Sequence, residues 1–282
     1  MTYRACYEEG RELLTSANIA EADLDARLLL EYVCHTDRNT LLAHGDRPVT
    51  EAEQQAYRAL ITRRAEHVPL QHLTGTQNFM GLDFAVNEQV LVPRQDTEIL
   101  VEEVLKHLHD GMRILDLCTG SGCILISLLH YSNDCSGVGV DLSQEALAVA
   151  EQNAAALLES AADRQRIQFV RGDLFAPVTG TYEIIVSNPP YIASAVIPEL
   201  MPEVRSHEPQ LALDGGADGL DFYRRIAEQS PAHLCGGGML FLEIGYDQGA
   251  VVTQLLRRAG FAEVTTVQDY AGLDRVVYAT YP

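Results

Sequence analysis

From Gly111 onward the sequence alternates short apolar runs with longer amphipathic ones, and this alternation restricts the fold more than any other feature. The runs "RILDLC", "GVGVDL", "IQFVRG", "YEIIVSN" and "MLFLEIG" have the length and composition of strands. Helix-spaced segments lie between them, for example "SQEALAVAEQNAAALLE" at 143–159. Parallel neighbours need a long crossover, so the pattern predicts an α/β fold with a mostly parallel sheet covered on both faces. The last run, "AEVTTVQDYAGLDRVVYATY", has two strand-like halves around "DYAGLD" and predicts an antiparallel pair closing one edge.

Residues 3–70 have a different texture. "DARLLLEYV" and "EAEQQAYRALITRRAE" carry apolar residues at helical spacing, and Thr50 with Glu53 three positions later predicts a capping box. The segment "GTQNFMGLDFAVNEQVLVP" then reads as a β-hairpin or extended linker, and a helix follows with Asp96 and Glu98 in its first turn. The expected organisation is a helical domain at 1–74, a hairpin or linker at 75–93 and an α/β domain at 94–282. Low complexity is confined to the alanine-rich stretch at 146–162.

Composition removes several classes of function. No run of 18 apolar residues occurs, so no membrane span is expected. The N-terminus has early acids and lacks the apolar core of a signal peptide. The six cysteines form no C-x-x-C pair, which points to reduced thiols and a cytoplasmic protein. No H-E-x-x-H occurs among the nine histidines, and no metal site is expected. The single lysine, Lys106, is not preceded by glycine, which excludes a Walker A loop. Ser121 fails G-x-S-x-G because its flanks are Thr119 and Cys123. The net charge of −20 divides into −4 over residues 1–74 and −16 over the remainder. Such a field disfavours nucleic-acid backbones, although acidity also simply aids solubility.

Candidate site residues recur at the ends of the predicted strands, where open α/β sheets bind ligands. "DLCTGSGC" places Asp116, Gly120 and Gly122 on a turn before a helix, where free N–H groups and close backbone approach favour a ligand. Leu125 leaves a dinucleotide fingerprint incomplete. Asp141 ends the second strand and suits a ribose diol, with a helix N-cap before "LSQEAL" as the alternative. Asp173 ends the third strand, either at the site or as a plain loop acid, and Leu174 beside it is placed to border an adenine ring. "SNPPY" at 187–191 ends the fourth. It is either an ordinary strand-ending turn or a device that aims the Asn188 amide oxygen, the Pro189 carbonyl and the Tyr191 ring at one planar NH2 group.

Four stretches carry a family resemblance: "LVPRQDTE" (91–98), "ILDLCTGSG" (114–122), "VSNPPYI" (186–192) and "EPQLALDGGADGL" (208–220). With them the chain resembles class I S-adenosylmethionine-dependent methyltransferases, specifically the HemK/PrmC family, over almost its whole length. Members of that family methylate the glutamine of the Gly-Gly-Gln motif in peptide chain release factors. The resemblance implies a Rossmann-like domain preceded by a helical domain that holds the release factor. It implies cofactor contacts at Cys118, Thr119, Gly120, Ser121, Gly122, Asp141, Leu174 and Asn188, with S-adenosylhomocysteine as product. It implies substrate contacts at Asn188, Pro189, Pro190 and Tyr191, with Asn188, Pro189 and Tyr191 carrying catalysis. Class 1 release factors are the implied partners, without nucleic acid or membrane. Arg94, Thr97 and Glu98 belong to a family motif whose roles sequence does not assign. Two positions depart from the family's habit: Cys118 stands where Gly is common, and Gln95 where Pro is common. Two rival readings remain, a nucleic-acid amino methyltransferase and a binding adaptor without turnover.

Overall fold

A computed structural model describes residues 1–158 and 160–282. The chain opens with helices α1 (Tyr3–Ser16), α2 (Ala22–Cys34), α3 (Arg38–Ala43), α4 (Glu51–Ala65) and α5 (Leu70–Thr74). A hairpin of β1 (Thr76–Phe79) and β2 (Leu82–Ala85) leads to α6 (Gln95–His107). The alternating part runs β3 (Arg113–Leu117), α7 (Cys123–His130), β4 (Ser136–Asp141), α8 (Gln144–Leu157), α9 (Ala161–Gln165), β5 (Ile167–Arg171) and β6 (Tyr182–Ser187). Then come α10 (Pro202–His207), α11 (Asp221–Gln229), β7 (Leu234–Glu243), α12 (Gly249–Arg258), β8 (Ala262–Gln268) and β9 (Asp274–Thr280).

Two compact units result, Met1–Gly75 with Met201–His207, and Thr76–Leu200 with Glu208–Pro282. The expected boundaries at 74 and 93 have no place for α10, which packs with the first unit although it lies late in the chain. Its reason is a buried ion network. Arg64 donates to Asp25 Oδ2 at 2.7 Å and, through both terminal nitrogens, to Glu203 Oε1 at 3.1 Å. The His67 ring nitrogen Nδ1 adds a 3.0 Å contact to the same oxygen. Around this network Leu14, Leu29, Leu30, Tyr57 and Ile61 form the core of the helical unit. The Thr50 hydroxyl accepts from Glu53 N, and the Glu53 carboxylate accepts from Thr50 N at 2.8 Å, which completes the predicted capping box on α4.

The second unit is built on a seven-stranded sheet of order β5-β4-β3-β6-β7-β9-β8. The first five strands of that order are parallel, and β9 and β8 close one edge antiparallel. Side chains alternate between its faces. Ile114, Ile184, Val186 and Phe241 join the core beneath α6 and α7, while Leu115, Ile185, Leu240 and Leu242 join the core beneath α11 and α12. Strand β7 begins at Leu234, earlier than the apolar run at Met239, and its register against β6 shifts at the intervening glycines. The alanine-rich stretch 146–162 is not one helix. Strand-like backbone at Leu158 ends α8, and Ser160 with Asp163 forms a second capping box that starts α9. The last residue of the expected helix 143–159 lies outside the described residues.

The hairpin turn has Met80 at φ 51° and Gly81 at φ 74°, the conformation that a two-residue loop between right-twisted strands requires. Glu98 of α6 accepts from Met80 N at 2.8 Å, which gives this motif residue a structural role. Removing the hydroxyl that caps α4 leaves an amide of the first turn unpaired. Thr50→Ala is expected to lower stability by about 1 kcal/mol, read as a shifted denaturant midpoint by circular dichroism. An unshifted midpoint would show that the cap contributes nothing.

Candidate active site

The glycine turn sits between β3 and α7. Cys118, Gly120 and Gly122 all have positive φ, at 59°, 54° and 78°. A methyl group on Gly120 would meet nothing within 4 Å, so this backbone borders open space. On Gly122 it would stand 2.8 Å from Ile126 Cδ1 and 3.1 Å from Ala150 Cβ. Gly122 therefore serves the close packing of α7 on α8. The backbone path at 118 is one that glycine adopts freely, and Cys118 takes it at the ordinary cost of a left-handed side-chain residue. Asp116 lies within β3 and not on the turn as expected; it is fully buried and accepts from the Thr119 hydroxyl at 2.5 Å. Burial pushes its carboxyl up to about 7, the Thr119 bond opposes this, and nearby Asp141 adds to it.

Asp141 ends β4. Its Oδ2 accepts from Gly120 N and its Oδ1 from Ser143 N, each at 2.9 Å. The N-cap of α8 is Ser143, so Asp141 is not that cap. It braces the glycine turn and retains free lone pairs toward the cleft, since an ionised carboxylate has about four acceptor sites. Asn153 also holds this region, a residue that sequence reading missed. It bridges Ala85 of the hairpin to the Ser121 carbonyl, with bonds at 2.7, 3.1 and 2.9 Å.

Asn188 follows β6 and points to the α6 side of the sheet. Its Nδ2 donates to the buried Thr97 hydroxyl at 3.3 Å. Tyr191 turns away from the cleft, and its hydroxyl donates to Glu243 Oε1 at 3.4 Å. The following backbone is clasped by "DGGADGL". Ile192 N donates to the Leu213 carbonyl at 3.0 Å, the Ile192 carbonyl accepts from Gly215 N at 2.8 Å, and Gln248 Nε2 donates to the carbonyls of Tyr191 and Gly219. A methyl group on Gly215 would approach Tyr191 Cα to 2.8 Å, and one on Gly219 would approach the Tyr191 oxygen to 2.4 Å. Those glycines exist to let the two loops touch. Glu208 joins the first motif to the last, accepting from Val92 N at 3.2 Å and from Arg94 at 2.6 Å.

These elements enclose a cleft of about 260 Å³. Of the expected site residues, Cys118, Thr119, Gly120, Ser121, Asp141, Leu174, Asn188 and Pro190 line it. Gly122, Pro189 and Tyr191 are absent from its walls. Arg94, Thr97 and Asp173 also line it, and Asp173 pairs with Arg225 at 2.7 Å.

Comparison with known proteins gives the same picture. Residues 5–75 match the PrmC N-terminal domain, and residues 94–203 match the methyltransferase small domain. A release factor glutamine methyltransferase of Geobacter sulfurreducens is 41% identical over 98% of this chain and 95% of its own length. That of Moorella thermoacetica is 42% identical over 99% and 98%. The chain belongs to the release factor glutamine methyltransferase family. The crystal structure of a methyltransferase from Pyrococcus furiosus shares the fold, with a TM-score of 0.54 at 18% identity, covering 78% of this chain and 98% of that one. The second unit is thus a class I S-adenosylmethionine-dependent methyltransferase domain.

The family's cofactor is S-adenosylmethionine. The cleft suits it in three respects: a bare backbone at Gly120, a strand-end carboxylate at Asp141, and the apolar walls of Leu142 and Leu174. The raised pKa of Asp116 has a consequence for stability. Its folded value exceeds its unfolded one, so between the ordinary carboxylate range and pH 7 the folded chain holds a proton that the unfolded chain releases. Stability from this group declines as pH rises toward 7. Asp116→Asn is expected to gain on the parent between pH 5 and 8, with a slope of the order of 1 kcal/mol per pH unit at most. Urea unfolding of both proteins across that range checks it, and parallel curves would count against it.

Proposed function

We propose that this chain transfers the methyl group of S-adenosylmethionine to the side-chain nitrogen of the glutamine in the Gly-Gly-Gln motif of class 1 release factors. The transfer breaks the C–S bond, forms a C–N bond and leaves S-adenosylhomocysteine and one proton, lost from the nitrogen to solvent. Beyond the family likeness, the observation that carries the reading is Asn188. Its Nδ2 is engaged by Thr97, which leaves Oδ1 as a fixed acceptor at the cleft wall. The Asn188 oxygen accepts one N–H bond of the glutamine amide from the cleft wall. The Pro189 carbonyl, from the next residue and outside the walls themselves, accepts the other, and Pro190 forms the adjoining wall. Tyr191 braces this loop from behind.

The bound cofactor supplies an electrophilic methyl on a sulfonium. An amide nitrogen is a poor nucleophile because its lone pair is delocalised into the carbonyl. Two accepted hydrogen bonds raise electron density on it and fix its direction, and orientation alone lowers barriers by up to about 7–11 kcal/mol in well-oriented reactions. Asp141 accepts from the ribose hydroxyls, Cys118 to Ser121 border the cofactor through their backbone, Gly122 sets their path, and Leu174 borders the adenine.

The helical unit grips the release factor in this reading. A photo-crosslinker at the exposed Tyr32 is expected to capture the factor, and capture confined to positions after Thr76 would overturn the assignment. The protein acts in the cytoplasm. Among the described residues no helix is long and apolar enough to cross a membrane. Recovery of the chain in a membrane fraction would contradict this. The −16 charge of residues 75–282 disfavours the rival reading in which the same loop takes an exocyclic base amine.

Asp141→Ala is expected to weaken cofactor binding by roughly 1.5–3 kcal/mol, the worth of hydrogen bonds to a charged group. Titration calorimetry measures it, and unchanged affinity would reduce Asp141 to a brace of the glycine turn. The substrate is tested with labelled cofactor on a release factor, on its Gln-to-Ala variant in Gly-Gly-Gln, and on DNA and RNA. Label on that glutamine alone is expected, and Asn188→Ala should cut turnover roughly a hundredfold. Label in nucleic acid, or label surviving the Gln-to-Ala change, would sink the substrate assignment.

A further inference from the structure

Gln248 stands at the N-cap position of α12, but its side chain makes no cap bond. It is also absent from the cleft walls. Its amide is instead engaged by three loops of the second unit. Nε2 donates to the Tyr191 carbonyl at 3.0 Å and to the Gly219 carbonyl at 3.3 Å. Oε1 accepts from Gly245 N at 2.9 Å, and the Tyr223 hydroxyl, which also donates to the Glu243 carbonyl, is 3.3 Å away. The partners settle which end of the amide is which, because a carbonyl only accepts and a backbone N–H only donates. Two glycines make the room. A methyl group on Gly219 would stand 2.9 Å from Nε2, and one on Gly245 would stand 2.9 Å from Oε1.

The strand end of "NPPY" is fixed separately. Ser187 pairs with Leu117 and Leu242 in the sheet, and its hydroxyl donates to the Leu117 carbonyl at 2.7 Å. From there to Tyr191 the chain is stiff. Each proline ring locks its own φ at about −65°, and Asn188 and Pro189, each preceding a proline, are held to extended backbone. A stiff segment is aimed by its two ends. The sheet holds one end. At the other, Ile192 is bonded to Leu213 and Gly215, and Gln248 ties that pair of loops to the turn after β7. Without this tie the two loops are free to shift together. We propose that Gln248 is a positioning residue for methyl transfer, whose amide sets the direction in which the Pro-Pro segment presents the Asn188 oxygen and the Pro189 carbonyl. This inference rests on the proposed function, which gives those two acceptors their role.

The donor end of the amide carries this role. Gln248→Glu keeps the shape and the acceptor for Gly245 N, but it turns an ionised oxygen toward two carbonyl oxygens, which repel it. At the start of α12 the same negative charge is favoured by the helix dipole. A capping role and a positioning role therefore give opposite expectations for one substitution. Gln248→Met keeps the length of the side chain and removes both polar ends.

The test uses full-length protein with a release factor and labelled cofactor. Gln248→Glu and Gln248→Met are each expected to lower kcat by roughly 10- to 100-fold, the scale of a misplaced reacting group. Cofactor affinity, read by titration calorimetry, should stay within about twofold of the parent, because Gln248 is not part of the cleft walls. Gly219→Ala intrudes on the same bonds and should give a similar loss. Combined with Gln248→Met it should lose less than the product of the two single losses, as coupled neighbours do. A second readout needs no turnover: in crystal structures with bound cofactor, the Pro189 carbonyl of Gln248→Met should be displaced from its place in the parent while Ser187 keeps its register. If the parent binds cofactor yet methylates no release factor, the proposed function fails, and these structures still decide whether Gln248 holds the segment. A Gln248→Glu kcat equal to the parent's, a loss of cofactor affinity as large as the loss of kcat, fully multiplicative losses in the double variant, or an unmoved Pro189 carbonyl would each overturn the inference.

Discussion

The Glu208 carboxylate is withdrawn from water and held by donors from residues 92 and 94. Burial raises its pKa, and the Arg94 charge opposes that rise. A buried charge that loses its partner is strongly destabilising, so this contact tolerates little displacement. It fixes where the chain enters α6 relative to the loop that begins "EPQ". Thr97 is one turn into α6 and reaches Asn188, and the loop's glycines clasp the backbone after Tyr191. The position of the Asn188 amide thus depends on one carboxylate that lies outside the cleft walls.

Much of this architecture was legible because its signals are local. Five apolar runs became five parallel strands, and "DYAGLD" became the turn of the antiparallel edge. Thr50 and Glu53 formed their capping box because both partners lie within one turn. The boundary errors have local causes too: Ser160 restarted a helix inside an alanine-rich stretch, and glycines before Met239 belonged to β7.

What escaped was the long-range part. Asn188 and Thr97 are 91 residues apart, and Glu208 and Arg94 are 114 apart, so no spacing rule joins them. Gly122 looked like a ligand-facing glycine, yet its missing side chain makes room for Ile126 and Ala150. Glycines at positions 120 and 122 look alike in sequence, and only tertiary packing separates their purposes. Tyr191 was expected to pack on the reacting group, yet it is absent from the cleft walls and its hydroxyl reaches the buried Glu243. Asp116 was placed on the turn because it opens "DLCTGSGC", yet β3 runs through it to Leu117.

The excursion at Met201–His207 limits how the family's two units can be exchanged. Arg64 and Asp25 come from the first quarter of the chain, and Glu203, the second anion that Arg64 holds, comes from the third. A chimera cut once after Gly75 would join one relative's Arg64 to another relative's residue 203. A mismatch there would leave a cation that is 6% exposed without one of its anions. The helical unit is therefore discontinuous in sequence. Its seven-residue outlier must travel with the helices, through a region of sequence that otherwise belongs to the second unit.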